Sequence, residues 1–182
     1  MRARDDIVAA LLVLLTVGAG TAAYGQARNP ASAASEEISV TEPDATGRFK
    51  RPKHDKPLPG GKVAHGSRNI IAAWFSGPTQ RYRHFALGAE HEAETLTVVA
   101  ANRRVFRLTL PPDSVFEDRE PRLFDLDGSG QDVIVVVRSY LKRGAALAVV
   151  GLHADGLEIV AETEPIGEPF RWLNPAGVGD FD

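Results

Sequence analysis

The chain has no cysteine, so no disulfide framework exists and cysteine usage leaves the redox compartment open. A formal net charge of −3 is too small to mark a nucleic-acid or acidic partner. Catalytic signatures are missing as well. No Gly-x-Ser-x-Gly elbow occurs, and Ser129 has no histidine near it in sequence to activate it. The five histidines show neither His-x-His nor His-Glu-x-x-His spacing, which leaves zinc chemistry without support. Gly60-Gly61-Lys62 lacks the spacing and the following Ser or Thr of a phosphate loop. With 182 residues there is room for one domain plus tails.

What is present is an acidic, glycine-punctuated stretch, Phe124-Asp125-Leu126-Asp127-Gly128-Ser129-Gly130-Gln131-Asp132, running directly into Val133-Ile134-Val135-Val136-Val137. Oxygen-bearing side chains fall on alternate positions at Asp125, Asp127 and Ser129. A turning backbone with that spacing points several oxygens at one hard cation, and calcium takes six to eight of them. The start of an EF-hand loop has similar spacing, with Gly130 at the sixth position. Its twelfth position needs a bidentate Glu, however, and here it is Val136 within a β-branched run that prefers extended backbone. Pro121 sits just upstream and no flanking helix is apparent, so the EF-hand is excluded.

A loop of this kind that opens a strand resembles the FG-GAP/VCBS repeat, the calcium-loop repeat of integrin-α-like β-propellers. Asp125 matches the family's first acidic position, Asp127 the third, and Ser129 stands where a third Asp is usual. Gly128 and Gly130 match both glycines, and Gln131 would offer its backbone carbonyl. The ninth position, a bidentate carboxylate in the family, falls on Val133, with Asp132 one residue early. The resemblance implies an all-β chain of β-propeller-type blades, about two in an incomplete ring. It also implies a calcium site formed by Asp125, Asp127, Ser129, Gln131 and Asp132, of weak affinity at best (on the order of 0.1–1 mM). Gly177-Val178-Gly179-Asp180-Phe181-Asp182 matches the approach to a second loop, at a spacing within the range of a repeat array. Since it breaks off at Asp182, an interrupted or truncated array is expected.

The amino terminus speaks to compartment. Met1-Arg2-Ala3-Arg4 is a basic start, Ile7 to Ala23 is almost wholly apolar, and small residues at Gly25 and Ala27 offer a cleavage pair. Residues 1–27 are therefore read as a signal peptide, with an uncleaved membrane anchor as the alternative. Export to the periplasm or outside the cell follows. Residues 28–68 are rich in Pro, Gly, Ser, Ala and charge with no apolar periodicity, so a disordered basic linker is expected.

From residue 69 to 182 the pattern is of short strands. Asn69–Phe75 ends at Gly77-Pro78, and Leu96–Ala100 and Val105–Leu110, the second of them alternating, flank Ala101-Asn102-Arg103, a turn suited to left-handed Asn backbone. Five consecutive apolar residues at Val133–Val137 imply a strand covered on both faces. Gly144 marks a turn, and Asp155-Gly156 marks a hairpin between Ala145–Leu152 and Leu157–Glu162. Glu117, Asp118 and Glu120 are read as a solvated acidic turn, and Phe170 and Trp172 as core anchors. The expectation is an exported, non-enzymatic binding or structural module whose partner is a protein or envelope polysaccharide. The alternative is the non-catalytic amino-terminal part of a larger exported enzyme.

Overall fold

The computed structural model describes residues 34–38, 55–83, 92–169 and 173. The signal segment 1–27, His84, His91, Phe170, Trp172 and the partial copy at Gly177–Asp182 lie outside the described residues. Among the described residues there is no helix, and ten strands join in one open antiparallel sheet. In chain order they are β1 (Ala34–Ile38), β2 (Ala64–His65), β3 (Ile70–Pro78), β4 (Glu92–Ala100) and β5 (Val105–Thr109). β6 (Ser114–Glu117), β7 (Arg122–Phe124), β8 (Val133–Tyr140), β9 (Gly144–Leu152) and β10 (Leu157–Glu162) follow. The protein is all-β.

Short connections set the β4–β5, β8–β9 and β9–β10 pairings, because a strand reached by a tight turn pairs with its predecessor. β3, β4 and β5 form one meander, and β8, β9 and β10 another. β6 joins the two: it pairs with the start of β4 at Glu92↔Glu117 and with the end of β8 at Ser114↔Tyr140. β7 then continues along the same edge of β8, from Arg122↔Val135 to Phe124↔Val133. Between Phe116↔Arg138 and Arg122↔Val135, six steps of the β6–β7 segment face three of β8, so three residues are thrown out as a bulge. Pro121 sits in that bulge, where a missing N–H costs no ladder bond.

Period-two alternation divides the core. Ile134 and Val136 of β8 join Ala148, Val150 and Ile159 in a cluster with Phe75, Leu96, Val98, Phe106, Leu108 and Phe116. Val135 and Val137 turn the other way, into a second cluster with Ala145, Leu147, Val149 and Ala161. Leu126, Val133, Val160 and Leu173 pack against that second cluster. β8 is thus buried on both faces, as its unbroken apolar run implies. Full burial of such aliphatic side chains contributes roughly 1.5–3 kcal/mol each. Phe75 and Phe116 stack at 5.3 Å, tying the β3–β5 meander to β6.

Four features differ from the sequence expectations. The segment expected to be a linker is part of the fold over Ala34–Ile38, which pairs with β5, and from Asp55 onward. Leu58 is buried in the first cluster, Trp74 Nε1 donates to the Asp55 carbonyl at 2.6 Å, and Asp55 receives the Arg107 guanidinium. Composition hid this, since a few apolar and charged anchors hold an otherwise polar stretch. Of the acidic turn, Glu117 is not solvated: it is only 1% exposed, lies opposite the fully buried Glu92, and accepts from Ser139 Oγ at 2.7 Å, whereas Asp118 and Glu120 stay partly exposed. In the β4–β5 turn the left-handed residue is Arg103 (φ 68°), while the Asn102 side chain caps the Arg104 N–H at 3.0 Å. Finally, propeller blades are separate four-stranded sheets, whereas here the two meanders share one ladder through β6.

Candidate functional site

The acidic stretch is the eight-residue loop of the β7–β8 hairpin, residues 125–132, closed at its base by Phe124↔Val133. Gly128 (φ 66°) and Gly130 (φ 81°) both take left-handed backbone, which glycine alone adopts without cost. Those two reversals turn successive N–H groups inward. Gly130 N donates to Asp125 Oδ2 at 2.9 Å, Ser129 N to Asp127 Oδ1 at 3.1 Å, and Gln131 N to Ser129 Oγ at 3.3 Å. One side-chain oxygen each of Asp125, Asp127 and Ser129 thus accepts a backbone N–H of the same loop.

Charge is concentrated there. The Ser129 hydroxyl and N–H hold the Asp127 carboxyl below the usual carboxylate range, with a further side-chain contact to Asp125, so Asp127 stays anionic well into acid. Asp125 Oδ1 is buried and has no hydrogen-bond partner. Buried carboxylate oxygens normally find a donor, so this acceptor is one that a cation would satisfy. Among the described residues no three His, Cys, Asp or Glu side chains converge on one point. Asp125 and Asp127 supply two carboxylates, and a third side-chain donor would be the Ser129 hydroxyl. Such oxygen donors are of the type calcium takes, and the Gln131 carbonyl and water would have to supply the remaining oxygens.

Asp132 is engaged elsewhere. Arg68 donates to its Oδ1 at 2.6 Å, Asp132 N donates to Asn69 Oδ1 at 2.7 Å, and Asn69 Nδ2 donates back to the Asp132 carbonyl at 3.0 Å. Asp132 is 5% exposed, and a carboxylate so buried requires a charged or hydrogen-bonding partner. Arg68 also feels Asp125; the two carboxylates, Asp132 first, keep its guanidinium protonated more firmly than usual. Arg68 and Asn69 lie between β2 and β3, more than sixty residues away in sequence. No local spacing links them to the loop, and their position at the edge of a supposed linker concealed them.

Other clusters are less able to do chemistry. Glu92 and Glu117 are opposite each other but fully enclosed. A second network joins Tyr140 Oη, donating to Glu162 Oε2 at 2.8 Å, with Arg138 Nε donating to Ser114 Oγ at 3.2 Å. The guanidiniums of Arg138 and Arg143 lie 4.4 and 3.9 Å from the Tyr140 ring centre. Burial is the main cause that raises the Tyr140 hydroxyl to about 12, and burial likewise raises the Glu162 carboxyl. An open depression of about 240 Å³ at the hairpin tips is lined by Asn69, Phe106, Leu152 and His153, with Arg104 reaching across to the Ala154 carbonyl. It brings together no nucleophile and base.

No family model, curated protein or solved structure matches the chain. The functional reading therefore rests on the residues and their geometry.

Proposed function

We propose that the protein is an exported, non-enzymatic module of the FG-GAP/VCBS-like kind whose β7–β8 hairpin binds calcium weakly. The observation that supports this reading is Asp125 Oδ1, buried and lacking a donor, in one loop with Asp127 and Ser129. Calcium held there neutralises two nearby carboxylates and stiffens the entry to β8, a strand buried over all but its first residue. Its role is structural: it fixes a loop rather than activating water. The four-stranded run β7–β8–β9–β10 is the blade-like unit in this reading, and the partner proposed for it is a protein or an envelope polysaccharide. The basic start and apolar run of residues 1–27 support delivery to the periplasm or the exterior.

Ligand binding to the native state alone raises its stability in proportion to the logarithm of concentration over Kd. Thermal unfolding of the wild type is therefore expected to move upward across about 0.1–1 mM calcium. Asp127→Ala, an exposed position, should leave the fold intact and abolish the shift. An equal shift in Asp127→Ala would remove the site from this loop.

A further inference from the structure

We propose that Arg68 is a built-in counter-cation of the β7–β8 loop: it holds the hairpin closed without metal and weakens calcium binding there. The inference rests on the calcium reading of the loop and adds its regulation by a residue outside it.

The grip on Asp132 is double. Arg68 takes the side chain at 2.6 Å, while Asn69 exchanges two hydrogen bonds with the Asp132 backbone, at 2.7 and 3.0 Å. The two adjacent residues thus tie the loop's last position to the start of β3, giving the hairpin an anchor that no ion need supply. The asymmetry of exposure matters: the Asp132 side chain is 6% exposed and that of Arg68 48%. The carboxylate therefore depends on the guanidinium for compensation, whereas the guanidinium keeps contact with water and remains replaceable.

Electrostatics then act on the metal. Arg68 interacts with Asp125 as well as Asp132, so its charge already offsets part of the field that would draw in a cation. An incoming calcium meets a positive charge held at the end of the loop by Asp132 and already acting, more weakly, on Asp125. It also loses Asp132 as a donor, because releasing that carboxylate from Arg68 would leave the guanidinium without its partner. Removing Arg68 reverses both effects. The expected gain in calcium affinity is roughly fivefold, the size of one solvent-screened charge interaction.

The test compares thermal unfolding of the wild type, Arg68→Gln, Arg68→Lys and Asp127→Ala, each in a chelator and across a calcium series. In chelator, Arg68→Gln should melt below the wild type. Its calcium midpoint should lie roughly fivefold lower, so that saturating calcium narrows the gap. Arg68→Lys keeps the charge and should keep a midpoint close to the wild type. Should Arg68→Gln not fold, Arg68→Met retains the aliphatic stem and repeats the comparison. A calcium response in the wild type that Asp127→Ala abolishes, with an unchanged midpoint in Arg68→Gln, overturns this proposal alone. Absence of response in the wild type and Arg68→Gln alike overturns the calcium reading and this proposal together.

Discussion

Single residues carry most of the information about this loop, and they differ in how openly they declare it. Asp125, Asp127, Ser129 and the two glycines announce themselves by alternation, because a ligand loop requires that spacing and left-handed turns require glycine. Arg68 and Asn69 do not, since a partner more than sixty residues distant leaves no local period. Glu162 was equally silent. It sits among Arg138 and Tyr140 on β8, Arg143 in the following turn and Glu164 beyond β10, and burial outweighs the Arg138 charge in raising its carboxyl. A raised carboxyl favours the protonated native state, so its contribution is complete below the ordinary Glu value of 4.5 and fades as pH rises through the folded value. Relative to Glu162→Gln, the wild type should lose thermal stability from about pH 4.5 towards neutrality. Melting curves of both proteins across that range check this; a relative gain by the wild type would mean that the Arg138 ion pair dominates.

At the level of elements, the strands were readable wherever a pattern of one face or two was unbroken. β8, β9 and β10 follow from the Val133–Val137 run, Gly144 and Asp155-Gly156, β5 from its alternation, and the second half of β4 from the turn that precedes β5. β6 and β7 were not, because Pro111-Pro112 and Pro121 bracket β6, Pro121 directly precedes β7, and a three-residue bulge splits one strand position into two. β2 is only two residues long and has no period to detect. It matters nonetheless, since the connection from β2 to β3 delivers Arg68 and Asn69 to the loop. Gly66 lets that connection pass: a Cβ there would lie 2.4 Å from the Ile70 carbonyl oxygen and 2.9 Å from Leu123 Cδ1. Backbone cannot yield as a side chain does. Gly66→Ala is therefore expected to cost about 1–3 kcal/mol in chemical denaturation, the range of overpacking. An unchanged midpoint would show that the β2–β3 connection is not a tight contact.

For the whole molecule, the all-β class was legible and the arrangement was not. Composition cannot register that Asp55, Leu58 and Arg68 anchor a polar stretch onto the sheet, because each anchor is a single residue among glycines, prolines and lysines. Nor does it show that β6 splices two meanders into one ladder, where separate blades were expected. That continuity bears on function. The loop leads into β8, and its last residue is hydrogen-bonded to Arg68 and Asn69 of the β2–β3 connection, so it touches both halves of the sheet. The central claim is that this loop takes up calcium through Asp125, Asp127 and Ser129, and amide NMR during a calcium titration tests it most directly. The account predicts saturable shifts of the Ser129, Gly130 and Gln131 amides over about 0.1–1 mM, with the β9–β10 turn unmoved. Loop amides that stay fixed across that range, or shifts spread evenly over the sheet, would contradict it.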